Sequence, residues 1–448
     1  MSVEQEISEF IKTHPDVEIV EVLMADMNGI FRGKQIPLSG LKRLAKKGIP
    51  FPITTPFLTT NGANAEATSE EYGSDPDRIC VAVPGSLKLV PWADRKTAQI
   101  IVTMQDSDGT AFFMDPRSVL DRVLKRFEAD GLHPVVALEY EFFLFEAGSV
   151  PPVPVSPPNG MAAAGGANCY NMDVFYDFEA LMREIEDTCR AQGLDIIGLV
   201  CEYGNGQFEV NLNHTDDVER ACDDALALKR VVKSVALKHG LLASFMAKPR
   251  YEEVGNGLHA HVSILDDKGN NIFGAEGDGE ERLQNAIGGL LATMADATAI
   301  FAPNANSYRR FDPDWFAPVV PNWGENNRRL SVRLPLSGPK NRRFEHRVCG
   351  ADVCPHLVAA AILAGAHYGL THEVDPGPEL GEFDAVDFKD VLPPRWRMAL
   401  DRFETSAVMR EYLGDDFVDL YLQVRRDEEE EFHRQISLWD YEQYLRVI

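Results

Sequence analysis

Residues 17–24 (VEIVEVLM) are rich in β-branched residues, and Asp26-Met27-Asn28-Gly29 supplies a turn into residues 30–34; together they predict a hairpin. Residues 41–47 carry the spacing of a short helix, residues 49–67 have the Pro, Thr and Asn content of an ordered loop rather than a strand, and residues 98–105 (AQIIVTMQ) form another strand pattern. These features predict a small mixed-sheet unit over residues 1–105 and a larger body over 106–448. The body opens at Asp115-Pro116, where proline suits a helix start, and continues helically over 119–130. Strand patterns follow at 135–145, 207–212 and 258–265, and helical patterns at 178–192, 216–239, 284–301 and 355–368. The Pro/Ala/Gly-rich stretch 151–167 predicts a surface insertion. There is no internal repeat, and the pattern describes an α+β chain with several antiparallel strands.

The polar residues that interrupt the strands carry the chemistry. In residues 135–145 (VVALEYEFFLF), Glu139 and Glu141 are two apart and must point to one side of the sheet. Two carboxylates on one face of an apolar strand are costly unless something neutralises them. Glu202 and Glu209, His259 and His261, and Glu345 and Arg347 place further acids, imidazoles and a guanidinium on strand or strand-edge positions. Any one pair alone describes a solvated face or a local ion pair. Repetition on four segments instead favours a shared cation, and carboxylate oxygens with an imidazole suit Mg²⁺ or Mn²⁺. A second group, Arg309, Arg310, Arg328, Arg329, Arg333, Lys340, Arg342, Arg343 and Arg347, fits capture of phosphate and carboxylate. No Walker A loop or GxGxxG fingerprint is present, so a nucleotide has to be held by cations and guanidinium groups, which points to phosphoryl transfer.

Composition narrows the classes. The chain has 448 residues, 45% of them hydrophobic, which excludes disorder as the main state. Seventy acidic against 44 basic residues leave a net charge of −26, which disfavours nucleic acid and anionic membrane as partners. No apolar run is long enough to span a bilayer: Asp296 and His367 cut the longest ones. The start, MSVEQEISEF, reads as neither signal nor transit peptide, and seven cysteines without a CxxC pair fit reduced thiols in a cytoplasmic protein. Cys189, Cys201 and Cys222 read as small core residues, and the acidic run 427–431 as a solvated helix face.

Several ordered motifs resemble the signatures of the glutamine synthetase family. They are Glu139-Tyr140-Glu141, Gln207-Phe208-Glu209, residues 255–261 (GNGLHAH), Asn306-Ser307-Tyr308-Arg309-Arg310, Asn327-Arg328, Arg333-Leu334-Pro335, residues 343–347 (RFEHR), residues 351–357 (ADVCPHL) and Trp439-Asp440-Tyr441. The similarity covers almost the whole chain. Within the family, residues 219–231 and 245–249 are most similar to the bacterial γ-glutamylputrescine synthetase branch. The resemblance implies a small N-terminal β-grasp domain and a large catalytic domain with a mainly antiparallel sheet, assembled as a dodecamer of two stacked rings with active sites between subunits. It implies ATP and two or three Mg²⁺ or Mn²⁺ ions per site. Glu141, Glu202 and Glu209 would hold one ion, and Glu139, His259 and Glu345 the ion on the nucleotide side. Arg310 and Arg347, with Glu141, His259 and the backbone of Gly255, would bind L-glutamate. Arg328, Arg333, Lys340 and Arg343 would manage the phosphates, with Glu202, His261 and Ser263 near the nucleotide; Arg328, Arg333 and Glu209 would act in catalysis. ATP would phosphorylate the γ-carboxylate of glutamate, and an amine would displace phosphate.

Two departures bear on the amine. Ammonia-using members carry an Asp in an N-terminal FDGSS-like loop and a Glu six residues after the position of Arg310; here residues 51–62 lack that Asp and the second position is Phe316. Phe316 keeps a cation–π surface, loses a base, and offers apolar contact to a carbon chain. The expectation is a primary amine, putrescine or another alkyl- or polyamine, in amine catabolism. The alternatives are an ammonia-using glutamine synthetase and, in another class, a non-catalytic structural oligomer, which the filled ligand positions disfavour. Residues 388–394 (FKDVLPP) lack the Tyr of members controlled by adenylylation, so that control is not expected.

Overall fold

The computed structural model describes residues 2–157, 168–274 and 277–448. It is an α+β structure built on two sheets. The first contains β1 (Ile19–Ala25), β2 (Phe31–Pro37), β3 (Ile49–Pro52), β4 (Asp77–Ala82), β5 (Lys88–Leu89) and β6 (Thr97–Met104), in the order β2-β1-β6-β4-β3 with β5 on β6. β1 and β2 form the expected antiparallel hairpin, and β1 runs parallel to β6. β3 corrects the reading of residues 49–67 as loop throughout: Ile49–Pro52 pairs with β4 at the edge of the sheet. An edge strand has a free side on which prolines such as Pro50 and Pro52 need no ladder donor. The helix Val3–Thr13 was also hidden, although its capping box, Ser2 with Gln5, stands in the sequence.

The second sheet contains β7 (Leu132–Glu146), β8 (Ile196–Cys201), β9 (Gln207–Leu212), β10 (Leu241–Ser244), β11 (Leu258–Asp266), β12 (Trp323–Glu325), β13 (Val332–Leu334) and β14 (Phe344–His346). Their order is β12-β13-β14-β11-β7-β9-β8, with β10 also on β7; only the β12–β13 pair is parallel. Long β7 is the spine. Its alternate residues Val136, Leu138, Tyr140 and Phe142 are buried in the main core, which leaves Glu139 and Glu141 on the opposite face. Helices Pro116–Ala129 and Val218–Lys238 pack on β7, and Pro355–His372 packs on both of them. Pro355–His372 is buried along most of its length, as an apolar helix without a polar stripe must be. The predicted helix over 284–301 is two pieces, Gly279–Met294 and a short turn Thr298–Phe301.

Part of the insertion expected at 151–167 lies outside the described residues; Val155, which precedes that part, is buried and donates its N–H to Leu144 O. The acidic run 427–431 is not simply a solvated face. Asp427 and Glu428 accept from the backbone N–H groups of Glu66 and Thr60, and Glu429 is buried. Those N–H groups belong to loop segments with no strand partners, so carboxylates on a neighbouring helix satisfy them. Cys189, Cys201 and Cys222 are buried, and all seven cysteines are free. Among the described residues no helix is long and apolar enough to cross a membrane.

The hairpin turn is locked to the helical layer. Asp26 accepts from the N–H groups of Asn28 and Ile30 at 2.9 Å each and from Arg32 Nε at 2.8 Å, while buried Arg425 donates to Asn28 Oδ1 at 2.8 Å and Met27 O at 3.2 Å. Gly29 has φ +67°, and a Cβ there would lie 2.6 Å from Val353 O, just before the helix Pro355–His372. Gly29→Ala therefore combines backbone strain with a clash against backbone. It should cost roughly 1–3 kcal/mol, read as a lower urea midpoint at unchanged m-value.

Candidate active site

Strand register assembles the site on the face of the second sheet opposite the helices. Glu139 lies between His259 on β11 and Asn211 on β9, and Glu141 faces Glu209 directly across the β7–β9 pair. β14 adds Glu345 opposite His261, and β13 adds Arg333 opposite Glu345. A cavity of about 660 Å³ opens over these strands and is lined by Glu139, Glu141, Glu202, Glu209, Gly255, His259, His261, Arg310, Phe316, Arg328, Arg333, Arg343, Glu345 and Arg347. Fourteen of the residues singled out in the sequence thus meet in one place. Ser263, further along β11, and Lys340, on an exposed turn, do not line it.

His259 is the hub. Its Nδ1 is 3.6 Å from Glu139 and 3.9 Å from Glu345, and its Nε2 is 4.0 Å from Glu141. Two sets of donor atoms each fall within 4.8 Å of one another: Glu139, His259 and Glu345, and Glu141, Glu209 and His259. The first set matches the ligand group implied by resemblance. In the second, His259 stands where Glu202 was expected; Glu202 lies in the loop between β8 and β9, on the cavity wall.

Neighbouring groups orient these side chains. Arg343 Nε donates to His261 Nδ1 at 3.2 Å, so the ring proton is on Nε2 and points at Glu139 Oε1, 3.0 Å away. Glu345, 1% exposed, is gripped by Arg333 at 2.7 Å and by Arg347. Arg333 also donates to Asn326 Oδ1 at 2.8 Å. Glu141 accepts from the Gly257 N–H. A Cβ on Gly257 would lie 2.8 Å from Arg310 Nη2 and 2.9 Å from His259 Nε2, so only glycine lets the GNG turn pass this close. Buried Arg310 is anchored by Val348 O at 2.9 Å.

The electrostatics divide the carboxylates. Burial raises the pKa of Glu345, but Arg347, His261, His259 and Arg333 outweigh it and bring it down to about 2. Glu139 is likewise lowered, burial being overcome by hydrogen bonds from His259 and His261. Glu209 goes the other way: burial, then Glu139, Glu141 and Glu202, pushes it up to about 9. Glu202 is raised to about 7 by burial and then by Glu141. Facing carboxylates that cannot all ionise, set beside an imidazole, are a donor set that fits a hard divalent cation.

Several lining residues were given no role in the sequence, Gln207 although its motif was noted: Cys169, Tyr170, Tyr203, Gln207, Asn211, Trp315, Asn326 and Leu336. Gln207 and Asn211 carried a signal, since both are two residues from Glu209 and so share its face; Asn211 donates to Glu209 at 3.0 Å and Gln207 to Gly255 O at 3.0 Å. Trp315 adjoins Phe316, but nothing in the sequence ties it to Tyr203, 112 positions earlier, whose ring centroid is 6.1 Å away. Trp439-Asp440-Tyr441 sits on the exposed C-terminal helix Leu438–Tyr444, outside the cavity lining.

Carboxylate and imidazole donors and guanidinium groups gathered around one cavity describe a class of site: one suited to anionic groups and able to hold a divalent cation. Residues 113–444 match the family described as glutamine synthetase, catalytic domain. The chain is 38% identical over 449 residues (99% of this chain, 94% of the relative) to gamma-glutamylputrescine synthetase PuuA of Escherichia coli K12. It is 30% identical over 456 residues (99% of this chain, 98% of the relative) to glutamate–isopropylamine ligase of a Pseudomonas species. Among solved structures, "Apo GmaS without ligand" superposes with a TM-score of 0.84 at 28% identity, covering 98% of this chain and 99% of that one. The chain belongs to the glutamine synthetase family and is a carbon–nitrogen ligase. Enzymes of this family use ATP and divalent metal ions.

The raised carboxylates have a measurable consequence. In the cation-free protein, Glu202 and Glu209 hold protons in the folded state that the unfolded chain releases near pH 4.5. Their contribution to stability is complete below that value and is lost as pH rises through about 7 and about 9. The Tm without cation should fall from pH 6 to pH 9, and saturating Mg²⁺ should flatten that slope by displacing the protons. Calorimetry in buffers of different ionisation enthalpy should show proton release on Mg²⁺ binding, reduced in Glu209→Gln.

Proposed function

We propose that this chain joins the γ-carboxylate of L-glutamate to a primary amine at the expense of ATP, through a γ-glutamyl phosphate. The observation that carries this reading is Phe316, which stands six residues after Arg310 and lines the same cavity as the carboxylates. An aromatic ring there gives a carbon chain a surface and gives ammonium no carboxylate. Full-length similarity to one relative named for putrescine and another named for isopropylamine supports the same reading.

In this mechanism Arg310 and Arg347 hold the carboxylates of glutamate, with Glu141, His259 and Gly255 around them. Glu139, Glu141, Glu202, Glu209, His259 and Glu345 would hold the divalent ions, which supply charge neutralisation and polarise phosphoryl oxygens when bound. Arg328, Arg333 and Arg343 stabilise the negative charge that spreads over the transferring phosphoryl group; Lys340 and Ser263 would contact the nucleotide from outside the present cavity lining. A glutamate γ-oxygen takes the terminal phosphoryl group and ADP leaves. The amine nitrogen then attacks the acyl carbon, phosphate departs with the C–O electron pair, and the ammonium proton is lost. An amine with a pKa of about 10.4 is only about one part in 10³ neutral at pH 7, so the site has to favour the neutral form. The same reading places residues 1–105 as a β-grasp domain and 106–448 as the catalytic domain of a cytoplasmic dodecamer that serves amine or polyamine catabolism.

Phosphate release from ATP and glutamate, measured against a panel of amines and ammonium at equal concentration, tests the proposal. Organic amines should stimulate release well above ammonium, and Phe316→Glu should shift the balance toward ammonium. Equal stimulation by ammonium in the unaltered protein would return the chain to ordinary glutamine synthetase activity. No stimulation by any amine would favour a structural role.

A further inference from the structure

Backbone strain is concentrated along the lining of the cavity. Among the described residues five that are not glycine have positive φ, and three of them, Tyr170 (φ 59°), Phe316 (φ 57°) and Asn326 (φ 47°), line this cavity. A bulky aromatic residue in the left-handed region is held there at a cost in backbone energy, and such strain gathers where side-chain placement matters. The surrounding contacts hold these rings in place. Trp315 meets Tyr203 edge-on, with planes at 71°, and packs from behind against Phe143, Phe145 and Val254. The Tyr170 backbone is held by its N–H donating to Cys201 O at 2.9 Å, one residue before Glu202. Arg329 sits 5.9 Å from the centroid of the Phe316 ring and props it from one side. Tyr170, Tyr203 and Phe316 nonetheless remain exposed while lining the cavity.

Tyr170 and Phe316, held in costly conformations, and Tyr203, next to Glu202, are exposed and line the cavity together with Trp315, which describes a surface that an apolar group can cover. We infer that Tyr170, Tyr203 and Trp315, together with Phe316, form the wall that takes the carbon chain of the amine, so that the enzyme selects primary amines bearing an alkyl tail over methylamine and ammonia. This rests on the glutamate–amine ligase reading. The reacting nitrogen points toward the carboxylates and arginines, and each methylene of the tail covers aromatic surface instead of water.

The test is kcat/KM along the series methylamine, ethylamine, propylamine and butylamine, in the full-length protein with saturating ATP and Mg²⁺. In the unaltered enzyme kcat/KM should rise by about fourfold per methylene, the ratio expected for burying one CH₂ group. Tyr203→Ala and Trp315→Ala should flatten that rise while the KM for glutamate stays within about twofold. Tyr170→Gly removes a ring and its strain together, so it should flatten the rise without lowering Tm, which separates loss of the wall from loss of fold. An undiminished rise in all three variants overturns the assignment of these rings while leaving the ligase reading intact. An unaltered enzyme that turns over putrescine but none of the four monoamines overturns the alkyl wall alone, and one that turns over no amine at all overturns both.

Discussion

The structure depends on a repulsion. Glu141 and Glu209 face each other across an antiparallel strand pair, with Glu139 two residues away and Glu202 on the adjoining loop. Like charges at opposing positions destabilise a sheet, and burial makes the conflict worse. The fold contains it without resolving it. Arginines neutralise Glu345, histidines lower Glu139, and what is left over appears as protons on Glu209 and Glu202. A divalent cation is the species that could take the place of those protons, which is why a site of this kind couples metal binding to pH and to stability.

The remaining architecture keeps that conflict in position. β7 provides it by being long enough to pair with β11, β9 and β10, so one strand fixes the spacing of groups from distant parts of the chain. The other face of β7 is apolar and rests on helices, which prevents the strand from slipping by one residue and turning its glutamates into the core. Gly257 permits the close approach of the β11 entry to Arg310 and His259. The first sheet is tied to the same helical layer through Asp26, Gly29 and Arg425, so the two sheets share one supporting core.

Chemistry common to the family and chemistry particular to this chain occupy different walls of one cleft. Glu139, Glu141, Glu209, Glu345, both imidazoles and Arg333 lie on strands, where register sets them, while Glu202 and the other cavity arginines lie on segments outside those strands. The aromatic residues lie on the turns around residues 170, 203 and 315, where sequence can change without disturbing the sheet. A change at a turn position such as Phe316 can reshape that wall of the cavity and leave the strand-borne groups in place.

Much of the site was legible in the sequence, because strand alternation is a local rule: Glu139 with Glu141, and His259 with His261, share a face whatever the rest of the chain does. The crowding of basic residues over 309–347 marked the arginines, and the family's ordered motifs gave them expected roles. Hairpin, spine strand and buried helices were legible for the same local reason. Tertiary structure alone decided matters that depend on which strands are neighbours. It set Glu209 opposite Glu141, put His259 in both donor groups with Glu202 outside the second, and left Ser263 and Lys340 off the cavity wall. It also brought Tyr203 to Trp315 and gave the proline-bearing Ile49–Pro52 a place at a sheet edge. Periodicity fixes the direction in which a side chain points, whereas its partner comes from pairing across the chain, which local sequence does not encode.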